Sequence, residues 1–244
     1  MKNEITFELS GKYALFTDPI SKIGGEKSSL PIPTYQALKG VCESIYWKPT
    51  IIWYVDKLVV LHSIKTEAKG IRPLKYSGGN DLAYYTYLAD PKYIVTAHFE
   101  FNENRPDLIF DRNEHKHYFI AKRSLEKGGR RDVFLGTREC PAYVEPCQFS
   151  NDNSVYKNTP ELDFGFMYHS TAYPDENGSN QLTAKFWSPV MKNGIIEFCR
   201  PENCISQRFI KDSKTKAFGE GNFSGTSETQ ILDGYEEGDN CELD

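Results

Sequence analysis

Apolar and polar residues change period along the chain, and each change marks an element. Ile5, Phe7 and Leu9 alternate with polar neighbours, the two-residue period of a first strand with one buried face. Residues 11–16 (GKYALF) continue the apolar run, and residues 21–29 (SKIGGEKSS) form a polar loop. From Pro31 the period lengthens. Leu38, Val41, Cys42 and Ile45 recur at spacings of three and four, which predicts a helix over residues 34–47 with one apolar face. Pro33 discourages helix in the residue before it, the Thr34 hydroxyl can cap the orphan N–H groups beyond, and Pro49 stops the run. Tyr46 and Trp47 then fall in the last turn, near the surface and beside Lys48. From these residues alone they either cover the edge of the core or handle an anion.

A second strand region covers residues 51–55 and resumes at 58–61 after an Asp56-Lys57 turn, so the chain opens strand, helix, strand. Residues 65–92 read as irregular and polar, with Arg72, Lys75 and Gly78-Gly79 ahead of an aromatic run from Tyr84 to Tyr87. Residues 93–101 (YIVTAHFEF) are β-branched and aromatic throughout, the clearest strand signal. His98 within it reads as a partner satisfied by the sheet rather than a ligand. Residues 105–131 carry eight Lys or Arg against four acids, with His115 and His117 among them. Asn113 is a fair cap, and Tyr118, Ala121 and Leu125 form the stripe of a helix ended by Gly128-Gly129. His115, Lys116 and His117 then sit in or just before its first turn, where a cation opposes the helix dipole. That placement is either functional or an ordinary solvated basic face.

Arg130 and Arg131 lead into a short strand (VFL), Gly136 and Arg138, a basic glycine-containing loop of the kind that grips a nucleic-acid backbone. Residues 142–147 form another strand. Beyond Ser150 a polar run precedes three strand-like segments, residues 162–169, 182–190 and 195–199, with Lys192-Asn193-Gly194 as the hairpin turn between the last two. This predicts a small antiparallel β module.

The 244 residues suit one large domain, or a core domain with a smaller partner. The hydrophobic fraction is only 39%, but 15 Tyr and 15 Phe supply bulky core material. The charged N-terminal run MKNEITFELSG has no apolar signal region, and no stretch approaches membrane-spanning length. The expected compartment is the cytoplasm, with no membrane partner. Disulfides are then not expected among the six cysteines. Cys140 and Cys147 enclose six residues and Cys199 and Cys204 four, neither being the tight C-x2-C pair of a zinc ribbon. The net charge of −5 is unevenly placed: eight of the 34 acids fall in residues 219–244, which hold no Lys or Arg. The rest of the chain has 29 bases against 26 acids and is mildly basic. The acidic end is rich in Gly, Ser, Thr and Asn, a composition that predicts a disordered tail. Gly24-Gly25, flanked by Lys22 and Lys27, offers amides and ammonium groups to a phosphate without being a P-loop.

Several motifs occur in one order: YALFTDP, GGEK, PTYQALKGV followed by IYWKP, FLGTRECPAYVEP, LDFGFMYH and NGIIEF. Together they resemble the Cas5 proteins of type I-C CRISPR systems, the Cas5d group, over roughly residues 3–200. The resemblance implies an α+β fold: a ferredoxin-like (RRM-like) N-terminal domain over residues 1–150 and a small antiparallel β-sheet domain over 151–210; the acidic tail, residues 211–244, lies outside the resemblance and rests on composition alone. It also implies an endoribonuclease that cuts CRISPR precursor RNA within the repeat hairpin and then remains a subunit of the type I-C surveillance complex. The family's cutting residues, a tyrosine after the first helix and a Lys-His pair, fall on Tyr46, Lys116 and His117.

The residue types suit that chemistry. RNA carries its own nucleophile, the 2′-OH beside the scissile phosphate, so no cofactor and no metal ion are expected. His117 has an ordinary pKa of about 6.5 for proton exchange, whereas Tyr46, near 10, better orients the 2′-OH or shares its proton. Lys116 can stabilise charge on the phosphate. Neighbours on a regular helix point about 100° apart, so both reaching one phosphate predicts a helix start or loop at Lys116-His117. The expected products are a 2′,3′-cyclic phosphate and a 5′-OH. Lys22, Lys27, Arg72, Lys122, Arg123, Arg130, Arg131 and Arg138 are the expected RNA-backbone contacts, each with ordinary surface as the competing reading. Two rival functions stand beside this one. The first is a non-catalytic RNA-binding subunit. The second is a metal-dependent nuclease acting on duplex DNA, for which Asp107 and Asp111 lie near the basic stretch but do not complete a site.

Overall fold

The computed structural model describes residues 3–17 and 25–214; Lys22 and residues 215–244 of the acidic end lie outside the described residues. Strand β1 (Glu4–Gly11) buries Ile5, Phe7 and Leu9, as their alternation predicts. Two short strands, β2 (Tyr13–Ala14) and β3 (Lys27–Ser28), precede helix α1 (Tyr35–Ile45). Thr34 caps α1 through its Oγ1, which accepts the Ala37 N–H at 3.1 Å, an interaction worth about 1 kcal/mol. The helix stops at Ile45, not at Trp47. Tyr46 is extended (φ −157°, ψ 127°), and its carbonyl accepts the Trp53 indole N–H at 2.7 Å instead of pointing along a helix axis.

The next strands are β4 (Ile51–Val60), β5 (Thr66–Ile71), β6 (Ala83–Ala89) and β7 (Lys92–Phe101). β4 is continuous through the expected Asp56-Lys57 turn. Val55 pairs with Ala97 and Lys57 with Thr96, so Asp56 is the extra residue of a bulge and the long partner β7 holds both halves. Residues 65–92, read as irregular, contain β5 and β6. Their polar exposed faces hide the alternation, because the small sheet they join buries little.

A 3₁₀ turn (Pro106–Asp111) leads into α2 (Glu114–Glu126), then β8 (Val133–Phe134) and β9 (Pro141–Pro146). Asn113 caps α2 by accepting the Lys116 N–H at 3.0 Å, and the buried stripe is His117, Ala121 and Leu125, with His117 in the place expected for Tyr118. Beyond Ser150 come β10 (Leu162–Asp163), β11 (Met167–Ala172), a one-turn helix α3 (Pro174–Asn177), β12 (Gln181–Trp187), β13 (Val190–Lys192), β14 (Ile195–Glu197) and β15 (Ser206–Asp212). The expected hairpin joins β13 to β14, with Asn193 and Gly194 both at positive φ (51° and 82°), as a type I′ turn requires. The three expected segments are further divided. Gly165, at φ 71°, separates β10 from β11, and Pro189, which has no N–H for a ladder, separates β12 from β13.

The main sheet is antiparallel throughout, in the order β10-β13-β14-β4-β7-β1-β9-β8. β11-β12-β15 form a second sheet, and β6 gathers β2, β3 and β5 into a third. The segment after Ser150 therefore supplies strands both to the main sheet and to the second one. One face of the main sheet presents Phe7, Leu9, Trp53, Val55, Val95, Ala97 and Phe99 to Leu38, Val41 and Ile45 of α1 and to Ala121 and Leu125 of α2, forming one core. The other face is more polar. His98 lies there, with Nδ1 2.7 Å from Asp56 Oδ2 and its ring stacked on Tyr54, so it is the satisfied sheet histidine expected. Among the described residues no helix is long and apolar enough to cross a membrane.

Gly136 holds the loop of the FLGTRECP motif against the backbone of Leu15 and Phe16, just after β2. Its φ is 91°, and a Cβ there would stand 2.0 Å from the Leu15 carbonyl oxygen, which is backbone and cannot yield cheaply. Gly136→Ala is expected to lower stability by about 2–4 kcal/mol, read as a fall in the urea midpoint. A midpoint equal to wild type would show that the loop does not pack as described.

Candidate active site

Tyr46 and His117 are 71 residues apart in sequence and meet in the core. Tyr46 Oη lies 2.8 Å from His117 Nδ1. Tyr46 is placed by the end of α1, where its extended backbone turns the ring toward α2. His117 is in the fourth position of α2 and wholly buried, its ring edge-on to Phe99 and Phe101 at 6.2 Å each. The other ring nitrogen, Nε2, is 2.8 Å from the Asp111 backbone carbonyl. A carbonyl only accepts, so Nε2 carries hydrogen, and in the neutral ring Nδ1 holds the lone pair that accepts the Tyr46 O–H. The pair can pass a proton along that bond. Tyr46 is only 2% exposed, against the surface position its sequence context suggests, because α1 ends before it and the chain turns inward.

Asp111 links the third residue. Its carboxylate accepts the Thr50 hydroxyl at 2.7 Å and pairs with the Lys116 ammonium, while its Oδ2 stands 3.6 Å from His117 Nε2. Lys116 and His117 do diverge from the first turn of α2, one exposed and one buried, and both turn back to Asp111, one to its carboxylate and one chiefly to its carbonyl. Partial burial would raise the Asp111 carboxyl, but hydrogen bonds from Lys116 and Thr50 and the charge of Lys116 outweigh it and hold the group below its usual range. Burial pushes the Tyr46 phenol up to about 12; the Asp111 charge adds to this, and Arg130 partly offsets it. At neutral pH Tyr46 is therefore a protonated donor, not a phenolate. Asp111 enters the sequence reading only as a possible magnesium ligand and Thr50 not at all. Asp107 and Asp111 do not converge: Arg105 holds Asp107 through two bonds of 2.9 and 2.7 Å, and Lys116 holds Asp111.

The basic residues fall into groups. Arg130 and Arg131 stand at the C-terminal end of α1, where the Arg130 N–H donates to Ser44 and Ile45 carbonyls and the Arg131 N–H to Ser44. Their positive charge there suits the helix dipole, and Arg130 acts electrostatically on Tyr46. Lys122 and Arg123 are exposed on α2, beyond Lys116. Arg138 is exposed near Phe134. Lys27 and Arg72 belong to the region of the small sheet around β6, with Lys27 Nζ 4.9 Å from the Tyr85 ring centre. Lys22 lies outside the described residues.

Because the folded carboxyl of Asp111 is depressed, its contribution to stability is complete above the unfolded value of about 3.9 and is lost as pH falls through the folded value. The stability difference between wild type and Asp111→Asn, from urea curves, should be largest at about pH 6 and should shrink toward about pH 3. A difference that stays constant over that range contradicts the network.

The comparisons with known proteins agree with one another. A family model described as CRISPR-associated protein Cas5, of the Cas5d type, matches residues 4–199. The CRISPR pre-crRNA endoribonuclease Cas5d of Mannheimia succiniciproducens is 29% identical over 225 residues, covering 81% of this chain and 95% of that protein. The protein of the same name from Thermus thermophilus is 30% identical over 185 residues, covering 72% of this chain and 76% of that one. A crystal structure described as a CRISPR-associated protein superposes with a TM-score of 0.71 at 38% identity, over 85% of this chain and 97% of that chain. With the match spanning β1 to the residues just past β14, the chain belongs to the Cas5d family of CRISPR-associated proteins.

Proposed function

We propose that this protein is a CRISPR repeat endoribonuclease that cuts precursor RNA in the repeat hairpin, without a metal ion, and stays as a subunit of the type I-C surveillance complex. Two relatives that share most of its length are named CRISPR pre-crRNA endoribonucleases. The observation that carries the reading to this chain is the 2.8 Å contact between Tyr46 Oη and His117 Nδ1. In this reading the RNA 2′-OH donates toward Tyr46, whose own proton moves to His117 Nδ1, and the 2′ oxygen attacks the adjacent phosphorus. The 5′-oxygen leaves and takes a proton, giving a 2′,3′-cyclic phosphate and a 5′-OH. Asp111 is a positioning residue: it orients the imidazole through its carbonyl and holds Lys116 until a phosphate oxygen competes for the ammonium.

A ferredoxin-like (RRM-like) N-terminal domain over residues 1–150 is supported by the strand order β4-β7-β1-β9, with α1 and α2 on one face. We take residues 151–210 as an appended β module and residues 211–244 as an acidic extension, although β15 runs on to Asp212. Arg130, Arg131, Lys122 and Arg123 are the basic groups placed to follow the RNA backbone at the site, with Lys27, Arg72 and Arg138 as outlying contacts and Lys22 proposed on sequence alone. One observation favours the alternative of a non-catalytic RNA-binding subunit: Tyr46 and His117 are almost fully covered, at 2% and 0% exposure. Cleavage then requires RNA binding to open the rim formed by the Lys116–Asp111 pair.

Repeat RNA from the protein's own locus should be cut in EDTA, and a 2′-deoxy nucleotide just upstream of the cut should block it. His117→Ala and Tyr46→Phe should each slow single-turnover cleavage by about 10²–10⁴-fold while binding the RNA with little change. Tight binding of the native repeat with no cleavage would establish the non-catalytic subunit. Cleavage lost in EDTA and restored by magnesium would replace the mechanism with a metal-dependent one.

A further inference from the structure

We propose that His169, Cys199 and Cys204 form a structural zinc site that pins the β11-β12-β15 sheet to the main sheet. One ligand atom from each residue lies within 4.8 Å of the others, and both cysteines are free thiols. Two sulfurs and an imidazole nitrogen are the donor set zinc favours, and tetrahedral bonds of about 2.0–2.3 Å draw such atoms together from that separation by small side-chain rotations.

The surroundings are those of a metal ligand set. His169 is wholly buried, stacked on Tyr35 at 4.3 Å and edge-on to Trp187 at 5.2 Å. Its Nε2–H donates to the Cys199 carbonyl at 3.1 Å, the backbone contact that commonly fixes the tautomer of a zinc-bound histidine. Nδ1 then holds the lone pair, which accepts from Ser170 Oγ at 2.9 Å, a bond that a metal ion taking this nitrogen would replace. Cys199 also lines a cavity of about 560 Å³, shared with Glu197 and Asn203.

The topology gives the site a purpose. His169 lies on β11 and Cys204 just before β15, both strands of the second sheet, whereas Cys199 follows β14 of the main sheet. Every residue of β15 is exposed, so this thin sheet buries little of its own and gains from a cross-link. Sequence spacing misses the site because the histidine is 30 residues upstream of a Cys-x4-Cys pair that is too open to signal zinc by itself. The site uses none of Tyr46, Lys116 or His117, so it does not bear on whether RNA cleavage needs a metal.

The test uses the full chain, purified without a metal-affinity step, reduced and dialysed against zinc. About one zinc per chain should remain, and cobalt should replace it with the visible d–d bands and sulfur-to-cobalt absorption of a tetrahedral thiolate site. Cys204→Ser should lose the zinc and the cobalt spectrum, while Cys147→Ser keeps both. Removing zinc with a chelator should lower Tm by roughly 5 °C or more. Wild-type protein that retains no zinc overturns the proposal without recourse to any variant. So does Cys204→Ser binding as much zinc as wild type, or a Cys199–Cys204 disulfide that persists in the reduced sample.

Discussion

The bond from the Trp53 indole to the Tyr46 carbonyl is the constraint around which the rest is arranged. It ends α1, anchors that end of the helix to β4, and turns the Tyr46 ring toward α2. Trp53 packs edge-on to Phe99 at 5.5 Å, Phe99 packs edge-on to His117, and His117 meets Tyr46. Tyr46, just past α1, and side chains from β4, β7 and α2 thus close a ring, and the candidate reacting groups are members of the core rather than guests on its surface. A core is close-packed and its rotamers are held, so the Tyr46–His117 geometry is set by the fold itself. The same packing covers the groups. Precision and access are opposed here.

Around that ring the polar groups satisfy one another in a strict order. Asp111 supplies a carbonyl for His117 and a carboxylate for Thr50 and Lys116. Each connection has a reason in desolvation. A buried imidazole N–H without an acceptor, or a partly buried carboxylate without donors, would cost more than the bonds recover. The 3₁₀ turn that carries Asp111 back over the first turn of α2 is therefore as much part of the site as the helix itself. At its other edge, the Gly-Gly-Arg-Arg loop caps the last carbonyls of α1 and brings Arg130 near Tyr46. One loop completes a helix and supplies positive charge.

Where local chemistry is strong, the elements were legible before the fold. The alternation of Ile5, Phe7 and Leu9, the Thr34 cap, the β-branched run of β7 and the Asn193-Gly194 turn each appear where their residues predict. The misreadings share a cause. The end of α1 depends on Trp53, the bulge at Asp56 on β7, and the strands within residues 65–92 on pairing with β6, which the segment's own pattern does not announce. Tyr46, Lys116 and His117 were reached through family motifs and residue chemistry. Asp111 and Thr50 were not, because their roles are made by contacts across 61 residues in one case and by a backbone carbonyl in the other.

The sequence by itself determined the family, the start of both long helices, the main strands and the residue types available for proton transfer. These follow from side-chain period, capping and motif order, all of which act within a few residues of chain. Only the tertiary structure decided that Tyr46 is buried, that Lys116 and His117 are joined through Asp111, and that the strands after Ser150 divide between two sheets. It alone brought His169 beside Cys199 and Cys204. Those outcomes depend on which distant surfaces exclude water together, and the local pattern of a chain carries no record of that.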